Sequence, residues 1–197
     1  VNKLYNFTGL SKKYIEQTDL RINIHRFCKE LRRDENLTVG RIDSRYTGYD
    51  RDSAGEYPER DPSMGATGGA YSATFKDYVR RELGFEVDIP YNILAGLYKT
   101  WKYDRWENQY VNMAEELRKT MVTNPFMKIF VANGYYDLAT PYFATEYTFN
   151  HLGIPADLQD NISMGYYESG HMMYVHMPSL VKIKDDLANF VDLATKK

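Results

Sequence analysis

Several feature types are scarce or missing in this 197-residue sequence. Cys28 is its single cysteine, so neither an intrachain disulfide nor a thiolate metal site can be assembled. No apolar run approaches the roughly 18 residues expected of a transmembrane helix. The formal net charge is only −2, which gives no global field to attract nucleic acid or an anionic membrane. We therefore expect no membrane span and no nucleic acid among the partners of this chain.

Common cofactor motifs are missing as well. His-Glu-x-x-His does not occur, and His176 follows His171 by five residues, a spacing that does not place two zinc ligands on one helix face. The glycine-rich run over residues 65–69 lacks the lysine of a P-loop and is interpreted as a flexible connector. The sequence thus predicts neither a metal nor a cofactor.

The first half of the chain is predicted to be mostly helical. Residues 11–37 carry an apolar stripe at helical spacing, and residues 72–83 form a second helical pattern that Gly84 ends. Residues 46–70 are rich in Gly, Asp, Arg and Pro and lack periodicity, so they are predicted to form a long loop. The stripe consists of Leu20, Ile24, Phe27, Cys28 and Leu31.

The second half alternates between strand and helix patterns. A helix over residues 108–121 precedes a strand over 128–132, and a helix from Pro141 to about Gly153 precedes a strand over 162–167. Pro178 then opens a final helix, whose six periodic apolar residues are predicted to face inward. These are Leu180, Ile183, Leu187, Phe190, Val191 and Ala194. This order predicts the α/β class, with parallel strands and covering helices.

Asp137 and His171 are the strongest candidates for chemistry. Asp137 follows an apolar strand that stops at Asn133-Gly134, and His171 lies in a glycine-framed turn after the next strand. Active sites of α/β sheets collect at the carboxyl ends of strands. An acid followed by a histidine is also the chain order of the last two members of an α/β-hydrolase triad. No Gly-x-Ser-x-Gly elbow occurs, so we expect the chain to hold a general base and its orienting acid without their nucleophile.

The sequence motifs around these two residues resemble those of a known family. Asn133-Gly134-Tyr135-Tyr136-Asp137 with Thr140-Pro141, together with Gly170-His171-Met172 and Pro178, is similar to the acid and histidine motifs of the serine carboxypeptidases. The segments Val39–Tyr46 and Thr74–Tyr78 resemble the bacterial branch of that family. The resemblance is sharpest over residues 126–178 and covers the part of the family that follows the nucleophile.

The resemblance implies a fold and a function. The chain would be the C-terminal part of an α/β-hydrolase core (residues 105–197), preceded by a mostly helical cap or insertion segment (residues 1–104). Asp137 would be the triad acid, His171 the general base, and Met172 a residue lining the substrate pocket. The partners would be a peptide substrate and an upstream half carrying the serine nucleophile, with homo-oligomerisation left open. A secreted or periplasmic location is implied.

Two alternatives stay open. One is a related acyltransferase, in which an alcohol rather than water takes the acyl group. The other is a non-catalytic module that binds a peptide or protein partner through its tyrosine-rich surface, since the sequence has 18 tyrosines.

Overall fold

The computed structural model describes residues 1–196, in which eight α-helices and four strands are formed. In chain order they are α1 (Asn2–Thr8), α2 (Lys12–Gln17), α3 (Ile24–Glu30), β1 (Thr38–Val39), β2 (Thr47–Gly48), α4 (Pro62–Asp77), α5 (Ala114–Thr123), β3 (Ile129–Gly134), α6 (Tyr142–Asn150), α7 (Ala156–Gln159), β4 (Ile162–Tyr167) and α8 (Met177–Thr195). Within residues 1–196, no helix combines the length and the apolar character needed to cross a membrane.

Strands β3 and β4 pair in parallel and carry the site described below. Their register runs from Ile129 opposite Ile162 to Gly134 opposite Tyr167. The connection between them contains α6 and α7, as parallel pairing requires a crossover. The strand at 162–167 and the parallel arrangement agree with the sequence prediction, and the chain is a mixed α/β protein.

Each face of this two-stranded sheet packs against helices. On one face, Ile129 and Ile162 contact a buried cluster contributed by α5, α7 and the segment between α6 and α7; its members are Met121, Leu152, Ile154 and Leu158. On the other face, the ring of Phe130 lies 5.6 Å from that of Phe190 in α8. The hydroxyl of the buried Tyr167 donates a 2.8 Å hydrogen bond to Asp186 of α8. The sheet is therefore the middle layer of three.

The prediction of a single long helix over residues 11–37 is wrong. Two helices form there, α2 and α3, because Asp19 and Leu20 have positive φ angles of 51° and 62° that break the helical path. Ser11 caps α2, and Asn23 caps α3 by accepting hydrogen bonds from two backbone amides. Leu20, expected on the buried stripe, is 52% exposed because it lies in the break.

The prediction of a long loop over residues 46–70 is also wrong from residue 62 onward. Helix α4 begins at Pro62, ten residues before the predicted start, with Asp61 as its N-cap and proline in its first turn. The glycine-rich run over 65–69, interpreted as a flexible connector, is thus helical. Near its start, the loop forms β2, which pairs antiparallel with β1.

Two predictions about the later helices need correction. Helix α5 begins at Ala114 rather than near residue 108. In α8, Leu180, Leu187, Val191 and Ala194 are exposed rather than inward-facing. A sheet of two strands covers only a narrow strip of α8, and Ile183 and Phe190 fill that strip.

A buried ion pair connects α3 with the segment after β2. The Lys29 ammonium contacts Asp50 Oδ2 at 2.7 Å and donates to the carbonyl of Asp52 at 2.7 Å. Thr38 of β1 donates to the same oxygen of Asp50 at 2.7 Å. Because this buried lysine is paired and hydrogen-bonded, its charge is tolerated in the interior formed by the first half of the chain.

Candidate active site

The turns after β3 and β4 bring Asp137 and His171 together. Asp137 comes three residues after the end of β3, and His171 four residues after the end of β4. The two turns are tied by a 3.0 Å hydrogen bond from the Tyr136 amide to the Ser169 carbonyl. The pair therefore lies at the carboxyl ends of two adjacent parallel strands, the position that the sequence predicted.

Asp137 is 4% exposed, and its carboxylate is well supplied with donors. Oδ1 accepts hydrogen bonds from the amides of Ala139 (2.8 Å) and Thr140 (2.9 Å). Oδ2 accepts from the Thr140 hydroxyl (2.5 Å) and lies 2.8 Å from Nδ1 of His171. These bonds hold the carboxylate in one orientation, with Oδ2 directed at the imidazole.

The geometry of the His171 ring selects a tautomer. The neutral imidazole places its proton on Nδ1, because Nδ1 faces a carboxylate oxygen that can only accept. Among residues 1–196 the ring makes its hydrogen-bonding contacts through Nδ1 alone, to Asp137 and Thr140, and its side chain is 48% exposed. Nε2 is therefore left with a free lone pair on a partly exposed ring, as a general base requires.

A third segment, residues 41–45, contacts both turns. The Ile42 carbonyl accepts a 2.8 Å hydrogen bond from the His171 amide. On the side of the acid, the Leu138 amide donates to the Arg41 carbonyl at 3.1 Å, and the Ser44 amide donates to the Tyr136 carbonyl at 2.9 Å. This segment lies in the part of the sequence interpreted as cap, yet it forms one wall of the site.

Two glycines allow the three segments to approach this closely. A Cβ on Gly134 would lie 2.3 Å from the Gly170 carbonyl oxygen and 2.6 Å from that of Ser169. A Cβ on Gly170 would lie 2.4 Å from the Cβ of Asp43 and 2.5 Å from the Ile42 carbonyl oxygen. Backbone packs on backbone here, and no larger residue fits without displacing a turn.

The neighbours of His171 have separate environments. Ser169 is fully buried, and its hydroxyl accepts a hydrogen bond from Arg45, so Ser169 helps to hold the turn. Glu168 is exposed. Met172 is partly buried directly after the histidine, and its role in lining a pocket stays a prediction.

The other histidines lie in helix-end positions. His25 is exposed in the first turn of α3, with its ring 5.4 Å from that of Tyr57. His151 follows α6 and its Nδ1 contacts the Tyr147 carbonyl at 2.6 Å, while His176 precedes α8 and contacts the Ser179 hydroxyl at 2.8 Å. Within residues 1–196, no three His, Cys, Asp or Glu side chains are grouped so as to hold a metal ion.

Three residues of the site were not singled out as functional from the sequence. Thr140 supports Asp137, while Asp43 and Arg45 hold the histidine turn. All three lie within the sequence motifs that carry the family resemblance, and that resemblance was the one feature of the sequence that could have pointed to them. Periodicity could not reveal them, because their partners are brought close only by the fold.

Cys28 is excluded as an alternative nucleophile by its surroundings. It is completely buried in α3, and burial raises the pKa of its thiol from 9.0 to about 11. At pH 8 the thiolate fraction is therefore about 100-fold lower than for a thiol with the ordinary pKa.

We expect the native protein to resist alkylation of Cys28 by iodoacetamide at pH 8 and the urea-unfolded protein to react at the normal rate, as measured by mass spectrometry. Rapid alkylation of the native protein would contradict this burial.

Comparison of the chain with protein-family models, curated proteins and solved structures finds no match in any of the three.

Proposed function

We propose that this chain supplies the general base and the orienting acid of a serine-type carboxypeptidase, as the C-terminal portion of that enzyme. The observation that supports the proposal most directly is the 2.8 Å contact between Asp137 Oδ2 and His171 Nδ1 at the ends of adjacent parallel strands. A buried acid that fixes an imidazole whose far nitrogen is free is the arrangement that activates a hydroxyl nucleophile.

In the proposed reaction, Nε2 of His171 removes the proton of a serine hydroxyl as its oxygen attacks the C-terminal peptide bond. The imidazolium that forms is stabilised by the Asp137 carboxylate, which keeps the other ring proton on Nδ1. His171 then returns the proton to the leaving amino group, and water hydrolyses the acyl-enzyme by the same route in reverse. Met172, next to the base in sequence, would help to line the pocket for the substrate.

The serine and the oxyanion hole would come from a segment outside these 197 residues. Within residues 1–196, no serine hydroxyl is hydrogen-bonded to His171, and Ser169 is occupied by Arg45. The same segment would add strands to β3 and β4, since a parallel sheet is normally wider and covered on both faces. It would also cover apolar side chains of α8 that are exposed, including Val191 (53%) and Leu193 (67%).

A fluorophosphonate probe tests this proposal, because it labels a serine whose hydroxyl has been activated as a nucleophile, and the His171 variant shows whether that activation depends on the histidine. The intact protein is isolated from its source, treated with the probe and examined by intact-mass and peptide mass spectrometry. We expect one labelled serine outside residues 1–197 and release of the C-terminal residue from blocked dipeptides. His171→Gln should abolish both signals, whereas His151→Gln, a change at an exposed histidine beside α6, should leave both intact.

Other outcomes of the same experiment point to the alternatives. Labelling with ester formation in place of hydrolysis would indicate an acyltransferase. The absence of both labelling and turnover would contradict a catalytic role. It would favour a module that binds a partner through exposed aromatic side chains such as Tyr49 (82%), Tyr98 (78%) and Tyr110 (90%).

A further inference from the structure

The histidine turn is held by a carboxylate from a distant part of the chain. Asp43 is 3% exposed, and its Oδ2 accepts a 2.9 Å hydrogen bond from the amide of Gly170, the residue immediately before His171. The backbone carbonyl of Ile42 accepts from the amide of His171 itself. Two consecutive amides of the turn therefore donate to two consecutive residues of the segment over 41–45.

Arg45 extends this grip to the residues before Gly170. Its Nε and Nη2 bind Oδ1 and Oδ2 of Asp43 at 3.0 and 2.7 Å, which fixes the plane of the guanidinium. Nη1 donates to the Glu168 carbonyl at 2.7 Å, and Nη2 donates to the buried Ser169 hydroxyl at 3.0 Å. Asp43 and Arg45 together, called the clamp below, thus hold residues 168, 169 and 170 in succession.

The clamp is charged at neutral pH. Burial by itself raises the pKa of the Asp43 carboxyl, but the hydrogen bonds from Arg45 and from the Gly170 amide outweigh it and leave the pKa below its usual value. The carboxylate is therefore ionised at neutral pH. Its two oxygens are occupied by Arg45 and by the turn, which leaves it no part in proton transfer.

We propose that Asp43 and Arg45 are positioning residues that set the orientation of the His171 imidazole against Asp137, a role that rests on the proposed function. Residues 41 and 44 of the same segment are hydrogen-bonded to the acid turn, at Leu138 and Tyr136. The segment therefore fixes the two turns relative to each other, and the clamp fixes the last three residues before the base. Neither clamp side chain is hydrogen-bonded to the imidazole, so the clamp acts through the backbone of the turn.

The test compares Asp43→Asn and Arg45→Met with the wild-type intact protein. The ¹⁵N chemical shifts of His171 Nδ1 and Nε2 report the tautomer directly, and kcat and KM are measured on the same samples. We expect both variants to lose the uniform Nδ1–H tautomer and to lower kcat by about 10²-fold, the loss typical of a misplaced catalytic group, with KM little changed. Asp50→Asn is the matched control, because Asp50 is an equally buried, ion-paired carboxylate that does not contact the histidine turn.

A milder variant guards against loss of folding. Ser169→Ala removes one acceptor of Arg45 while leaving the ion pair with Asp43 intact, and it should shift the tautomer and kcat in the same direction by less. If all folded variants keep the wild-type tautomer and the wild-type kcat, the positioning role is wrong. A protein without hydrolase activity would end the proposed function, whereas the tautomer would still show whether the clamp orients the imidazole.

Discussion

Replacing Asp137 by asparagine is expected to lower kcat for peptide hydrolysis by about 10⁴-fold, the loss that this change causes in a Ser-His-Asp triad. The reason is the tautomer of His171. An asparagine Nδ2 in place of Oδ2 cannot accept the Nδ1 proton and instead donates to Nδ1. The proton then moves to Nε2, the atom that must be free to accept one from the serine.

The fold should survive this substitution. Oδ1 of the asparagine can still accept from the amides of Ala139 and Thr140, so the turn before α6 keeps these two hydrogen bonds. The Thr140 hydroxyl, which donates to Oδ2 of the aspartate, can instead accept from Nδ2 of the asparagine. Equal thermal unfolding temperatures and far-UV circular dichroism would confirm that only the chemistry has changed. Asp185→Asn, at an exposed position of α8, is the control for the loss of one negative charge.

The NMR tautomer of His171 makes this prediction specific to its mechanism. In Asp137→Asn the Nε2–H form should dominate, and kcat should fall in proportion. Near-normal turnover in a variant with that tautomer would remove Asp137 from the mechanism. Loss of turnover without a change of tautomer would indicate that the carboxylate acts by its charge alone.

The strands that carry this pair were predictable from local sequence. The apolar stretch that stops at Asn133-Gly134 became β3, and the residues predicted as the second strand became β4 without a shift. Both signals are local, since an apolar run of strand length bounded by turn residues needs no distant partner to be recognised. Once the strands are parallel, their carboxyl ends meet, and the approach of Asp137 to His171 follows.

The errors in the first half arose where local signals competed. Apolar periodicity continued across Asp19 and Leu20, although the chain turns there with positive φ angles. At α4, the glycines favour a loop, whereas Asp61 followed by Pro62 is a helix start signal, and the helix forms despite the cost of glycine. In each case the capping residue, not the periodicity, marked the true boundary.

The segment over 41–45 could not be placed from sequence at all. Asp43 and Gly170 are 127 residues apart, and their hydrogen bond exists only because the fold brings three turns to one place. The sequence motif around Arg41–Tyr46 indicated a family resemblance, but it did not show where this segment lies in the fold. Contacts of this kind are also where the largest effects of substitution on stability are expected.

Gly170→Ala is expected to lower the free energy of unfolding by about 3 kcal/mol, at the upper end of the cost of overpacking. The new methyl group would lie 2.4 Å from the Cβ of Asp43 and 2.5 Å from the Ile42 carbonyl oxygen, and neither atom belongs to the flexible end of a side chain. The turn must therefore move away from the segment over 41–45. That movement stretches the hydrogen bonds of the Gly170 and His171 amides, so activity should fall together with stability.

Gly68→Ala provides the opposite expectation within the same chain. Gly68 lies inside α4, and nothing is within 4 Å of the position that its Cβ would take. Alanine should stabilise this helix by about 0.5–1 kcal/mol, because glycine loses more conformational entropy on folding. Urea unfolding of both variants, followed by circular dichroism, gives the two free energies on one scale. A Gly170→Ala protein as stable as Gly68→Ala would mean that the histidine turn and the segment over 41–45 do not pack backbone against backbone, and the clamp would lose its structural basis.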